Sequence, residues 1–83
     1  MDHILITKRL GEQIRTRRLN LGLTQSQLAD RALLTRQKII AIEKGALSVS
    51  IGAYARVLGA LDCELRMVPA VLPTLDEIQG IFE

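Results

Sequence analysis

The stretch Thr24–Gly45, TQSQLADRALLTRQKIIAIEKG, leaves this chain few folds to choose from. Two short helical patterns stand there end to end, each opening on a hydroxyl residue. Thr24 can accept a hydrogen bond from an orphan backbone N–H of the first helix, and Thr35 can do so for the second. Leu28, Ala29 and Ala32 recur at three and four and so share a buried face. Leu33 and Leu34 fill the turn, and Ile39 and Ile42 mark the buried side of the next helix. Arg36, Gln37, Lys38, Ala41 and Lys44 remain on its outer side, and Gly45 supplies the stop.

Two capped helices this short, the second opening on an exposed Arg-Gln-Lys run, form the pattern of a helix-turn-helix that reads duplex DNA. TQSQLA, the Thr35-Arg36 cap, Ile39, Ile42 and the Glu43-Lys44-Gly45 ending together resemble the phage-repressor (Cro/Xre-type) helix-turn-helix, over about Leu10 to Leu61. The chain departs from that family in two places. Leu33 stands where the family usually has a turn glycine, and Val49 where it often has proline. A left-handed backbone at Leu33 would carry some strain. The resemblance implies an all-α, lambda-repressor-like domain of four or five helices. It also implies that Gln25 sits at a DNA-backbone contact position, and that Arg18 and Glu43 form a structural salt bridge.

Eighty-three residues make one small domain whose core alone supports a marginal fold, and such chains often gain stability by dimerising. With Tyr54 and Phe82 the only aromatics, neither a β-sandwich nor stacking on single-stranded nucleic acid fits. The net charge of +2 hides an asymmetry. From Lys8 to Lys44 there are nine Lys/Arg against three acids, net +6, and from Gly45 to Glu83 two against five, net −3. A basic first half suits a polyanion. Cys63 is alone, which excludes an internal disulfide and favours a reducing cytoplasm. The N-terminus lacks the layout of a secretory signal, and the apolar run Met67–Leu72 is too short to span a bilayer and contains Pro69. The expectation is a soluble cytoplasmic protein with no membrane partner.

Along the chain, residues 1–68 read as the DNA-binding domain and residues 69–83 as a tail. Met1–Ile6 is an apolar lead, either an added strand or an arm. Thr7–Leu21 has helical period, with Leu10, Ile14 and Leu21 on one side, Arg15 and Arg17 pointing elsewhere, and Arg18 in inward phase. Gly22 closes this helix. Ser50 caps a fourth helix whose core stripe is Ile51, Tyr54, Val57, Leu58 and Leu61, with Gly59 a place for a close approach. Over Cys63–Val68 the period changes to two. Cys63, Leu65 and Met67 alternate with Glu64 and Arg66, a half-buried strand that needs a partner. Self-pairing about a two-fold axis would make Cys63, Glu64, Leu65, Arg66 and Met67 the dimerisation segment. In the tail, Thr74 with Glu77 resembles a capping box ahead of Leu75, Ile78, Ile81 and Phe82.

Catalytic chemistry has no foothold in this pattern. There is no phosphate-cradling glycine loop, HExxH or CxxC, and no cofactor is implied. His3 and Cys63 are too isolated to hold a metal. DNA binding has a role for each residue instead. Gln25 opens a helix whose N–H groups can hold a phosphate. Thr35 caps the recognition helix, Arg36 can reach guanine or a phosphate, and Gln37 can pair with adenine. Ile40 and Ala41 can meet a thymine methyl, while Lys38 and Lys44 neutralise phosphates. The reading is a homodimeric repressor of operator DNA. With the ELRMVP strand after the last core helix, the chain is similar to HipB-like antitoxins, which implies autoregulation and a kinase-like toxin as partner. The alternative is a protein-interaction module that grips a partner through its acidic, apolar tail.

Overall fold

The computed structural model describes residues 1–70 and holds four helices there: α1 (His3–Asn20), α2 (Gln25–Ala32), α3 (Arg36–Glu43) and α4 (Ile51–Ala60). The helical pattern expected over Thr74–Phe82 lies outside the described residues. Each helix starts on a side chain that takes one of its orphan N–H groups. Asp2, Thr24, Thr35 and Ser50 accept from Ile4, Gln27, Lys38 and Ala53, at 3.0, 3.0, 3.1 and 3.2 Å. At α2 the cap is reciprocal, because the Gln27 side chain accepts in turn from the Thr24 N–H at 2.9 Å. The Asp2 cap also decides the form of the apolar lead. Ile4–Ile6 is the first turn of α1, neither a strand nor an arm.

The four helices end alike. After each comes one residue in the left-handed region, Gly22, Leu33, Gly45 and Asp62, with φ of 71°, 58°, 77° and 55°. The next residue's N–H then bonds back to a carbonyl five positions earlier. These bonds run from Leu23 to Arg18, Leu34 to Ala29, Ala46 to Ala41 and Cys63 to Leu58, at 3.1, 2.9, 3.0 and 2.9 Å. Leu33 therefore does adopt the left-handed turn that glycine would enter without strain. Its side chain is 81% exposed, so no packing clash adds to the backbone cost.

α2 packs against α3 and α4, and α1 lies against α3. Ile14, Leu28, Ile39, Ile42, Val57 and Leu61 fill the centre, and Tyr54 joins them with its hydroxyl donating to the Ala46 carbonyl at 2.9 Å. Two expected core residues are instead exposed. Leu21 follows the last turn of α1, and beyond the Gly22 reversal it is Leu23 that enters the core. Ile51 falls on the flank of α4, about 90° from the centre of the buried set Ala53, Tyr54, Val57, Leu58 and Leu61 at about 100° per residue. Among the described residues the strand expected over Cys63–Val68 is not formed. No ladder bond joins these residues to another described segment, and Ile4–Ile6, the one other strand candidate, is helical.

The close approach expected at Gly59 is not there, since a Cβ at that position would meet nothing within 4 Å. It occurs at Gly11, where a Cβ would stand 2.6 Å from the Ile42 carbonyl oxygen and 2.7 Å from that of Glu43. Gly45 completes the same junction, its Cβ position falling 2.6 Å from the Lys8 Cα. Backbone thus lies on backbone where α1 crosses the end of α3. One substitution at two sites should have opposite signs. Gly59→Ala gains helix propensity in open space and should stabilise by about 0.5–1 kcal/mol. Gly11→Ala gains the same propensity but forces α1 off α3, for a net loss of about 1–2 kcal/mol. Urea denaturation measures both, and a stabilising Gly11→Ala would contradict the close crossing.

Candidate nucleic-acid interface

With Ile39, Ile42 and Glu43 turned inward, the rest of α3 is arranged by a step of about 100° per residue. Gln37 and Lys44 project directly away from the core. Arg36 flanks them on one edge and Lys38 on the other, and these four with Thr35 are exposed. Ile40 and Ala41 lie between them and are half-buried, so each offers one side of its apolar group rather than the whole. The polar first turn is held by the Thr35 cap, and the positive end of the helix is at the Arg36 end.

Glu43 fastens the other end. Its carboxylate takes two bonds from the Arg18 guanidinium, Nε to Oε2 at 2.6 Å and Nη2 to Oε1 at 3.0 Å, with the two side chains 8% and 4% exposed. The third arm of Arg18, Nη1, donates to the Leu23 carbonyl at 2.9 Å. Among the described residues no buried side-chain nitrogen or oxygen lacks a partner. Gln25 joins the cluster. Expected at the DNA backbone, it is half-buried, and its amide Nε2 donates to Glu43 Oε1 at 3.3 Å. Its backbone N–H and amide oxygen lie outside that bond.

Beside this cluster an open groove of about 880 Å³ runs between α1, the start of α2 and the start of α3, lined by Arg15, Thr24, Gln25, Ser26 and Arg36. Thr24 takes the Gln27 N–H, leaving the first N–H groups of α2 at the groove. Two guanidinium groups and a helix start make a setting for a phosphate. Arg15 and Ser26 were not among the expected contacts. Arg15 follows the inward Ile14 by one residue and sits on the flank of α1, a position that periodicity alone leaves unassigned. Arg17 is employed differently, donating to the Leu61 carbonyl at 3.2 Å and so tying α1 to the end of α4.

The candidate dimerisation residues leave the domain together. Cys63 is half-buried, with its thiol on the Leu61 carbonyl at 3.4 Å, while Glu64, Leu65, Arg66 and Met67 are exposed. Glu64 and Arg66 pair with each other at 2.9 Å. Their i, i+2 spacing sets them on one side of an extended run. His3 is exposed beside Asp2, and no group of three His, Cys, Asp or Glu able to hold a metal occurs among the described residues. None of the described helices is long and apolar enough to cross a membrane.

Comparison with known proteins agrees with this geometry. A helix-turn-helix domain family matches residues 9–70. An uncharacterized HTH-type transcriptional regulator of Methanothermobacter thermautotrophicus is 51% identical over 51 residues, covering 61% of this chain and 74% of the relative. The chain belongs to the Cro/Xre-type helix-turn-helix family of DNA-binding transcriptional regulators.

Proposed function

We propose that the chain is a sequence-specific repressor that binds palindromic operator DNA as a homodimer. The observation that carries this reading is the outward set on α3. Gln37 and Arg36, the two side chains able to make bidentate base contacts, project from a helix whose inner side is pinned by Glu43. Lys38 and Lys44 flank them, and Gln25 with Arg15 and Arg36 lines the neighbouring groove, where phosphates would fix register. Ile40 and Ala41 supply apolar contact to thymine.

The two-fold axis is placed at Cys63–Met67. This extended run has backbone groups without a ladder partner among the described residues, and antiparallel pairing with a second copy answers that need. Two recognition helices then meet half-sites about one helical turn apart. A narrower reading adds a protein partner. The ELRMVP run resembles that of HipB-like antitoxins, and the exposed Leu65, Met67 and Val68 favour some protein contact. Under it the chain represses its own operon and binds a kinase-like toxin. A larger kinase-like protein encoded next to this chain and co-purifying with it tests that refinement.

Binding to upstream duplex DNA should weaken as a power of salt concentration, because each phosphate contact releases about one counterion. Arg36→Ala or Gln37→Ala should cost about 1–3 kcal/mol and relax preference at a base pair, whereas Lys38→Ala should weaken all duplexes alike. Fluorescence anisotropy over a salt series measures this. Equal affinity for random duplex, or unchanged preference in both the Arg36 and Gln37 variants, would refute the groove assignment.

Leu65→Pro separates the dimer from the fold. Leu65 is exposed and makes no backbone hydrogen bond within the described residues, so the melting of a monomeric domain should change little. Proline removes a ladder donor from a central strand. The variant should sediment as a monomer and lose operator affinity at the same time. A Leu65→Pro protein that stays dimeric would sink this placement of the axis.

A further inference from the structure

Gln25 stands where the buried ion pair meets the groove beside α3. It is half-buried at the start of α2 and lines that groove with Arg15 and Arg36. Its amide Nε2 lies 3.3 Å from Glu43 Oε1, the same oxygen that takes Arg18 Nη2 at 3.0 Å. A carboxylate gripped by a guanidinium is ionised and only accepts hydrogen bonds. The amide atom facing it must therefore be the nitrogen, since the flipped amide would set oxygen against oxygen. A glutamine in open solvent has no such preference between its two flips. Glu43, with its side chain 4% exposed and fixed by two bonds, thus chooses one orientation for Gln25.

The choice matters because of what the groove can receive. Arg15 and Arg36 pair with no carboxylate among the described residues. Two such guanidinium groups in one groove suit an anionic acceptor, and a DNA phosphate is one. Nε2 carries two N–H groups. Glu43 takes one, and the other has no partner among the described residues. We infer that Glu43 is a positioning residue for the DNA-backbone contact, holding the Gln25 amide so that Nε2 donates to Glu43 and to a backbone phosphate together. The phosphate is thereby located against the end of α3, the helix that reads the bases, rather than against α2 alone. Arg18 takes part by neutralising a carboxylate that would otherwise repel the phosphate. The inference rests on the reading of this groove as a phosphate setting, and adds the residue that orients it.

The test couples Gln25 to single phosphates. The full chain is titrated with upstream duplex in which one phosphate at a time is replaced by an uncharged methylphosphonate. Gln25→Met should lose about ten- to hundredfold in affinity for the unmodified duplex, as expected of a hydrogen bond to a charged group. It should lose little on the duplex whose methylphosphonate removes the Gln25 partner, which identifies that phosphate. In an Arg18→Met, Glu43→Leu background, which strands no charge, this coupling should shrink about threefold or more because the amide is no longer held. The coupling of Lys38→Ala to its own phosphate should stay as it was. An undiminished Gln25 coupling would overturn the proposal, and so would a parallel fall for Lys38, the mark of a merely structural role.

Should that background fold poorly, the unmodified chain still decides by hydrogen exchange. One Gln25 Nε2 proton should exchange more slowly than either of the exposed Gln37, and the second should slow only when duplex is added. Two equally fast Gln25 protons in the free chain would overturn the link to Glu43. Failure of the repressor reading is distinguishable, since random and upstream duplex would then bind alike while both proton effects persist.

Discussion

The bidentate bond from Arg18 to Glu43 is the interaction around which the other elements of the domain are arranged. A carboxylate in the last turn of a helix stands against the negative end of the helix dipole, and burial strips its water. Glu43 bears both costs, and Arg18 offsets them with two short bonds while its remaining arm satisfies Leu23. Such a pair adds little net stability compared with an apolar replacement, but it is directional. It sets the end of α3 against α1 and, through Gln25, against the start of α2. Gly11 and Gly45 bring the same elements into backbone contact around it. α3 is therefore held rigidly on its inner side, which leaves its outer side free to carry polar groups with no structural duty.

The molecule divides its surface accordingly. One side gathers the α3 face and the groove of Arg15, Ser26 and Arg36, where charge and N–H groups are concentrated. Another gathers apolar groups around Ile6, Leu47, Ile51 and Leu65, continuous with the run that leaves the domain after Cys63. Tyr54 belongs to the apolar side, where its hydroxyl holds the Ala46 carbonyl just after α3 and burial raises its pKa above the ordinary value. At neutral pH it is a protonated donor, so that link stays in place.

Much of this was legible where local chemistry decides. Thr24, Thr35 and Ser50 announce helix starts, Gly22 and Gly45 announce ends, and the inward phase of Arg18 and Glu43 can be counted from Ile14 and Ile39. What was not legible depends on where the core stops and on contacts between distant elements. Leu21 has the phase of a core residue but stands after the last turn of α1, and Ile51 falls on the flank of α4. Gly59 and Gly11 are both glycines inside helices, and only the crossing of α1 over α3 distinguishes them. The Ile4–Ile6 run has the look of a strand until Asp2 is recognised as a cap. Gln25 has the sequence position of a DNA contact, yet its side chain also reaches Glu43, a bond between residues 25 and 43 that no local pattern encodes.

The central claim is that Arg18 and Glu43 act as one buried unit that fixes α3. A double-mutant cycle of Arg18→Met and Glu43→Leu, followed by thermal and denaturant unfolding, tests it most directly. Each single change should cost about 3–5 kcal/mol by stranding a buried charge. The double variant strands neither charge and should cost no more than either single change, so the coupling between the two sites should be about 3 kcal/mol or more. Single losses below about 1 kcal/mol that simply add would mean two independent, solvated charges, and would contradict the account.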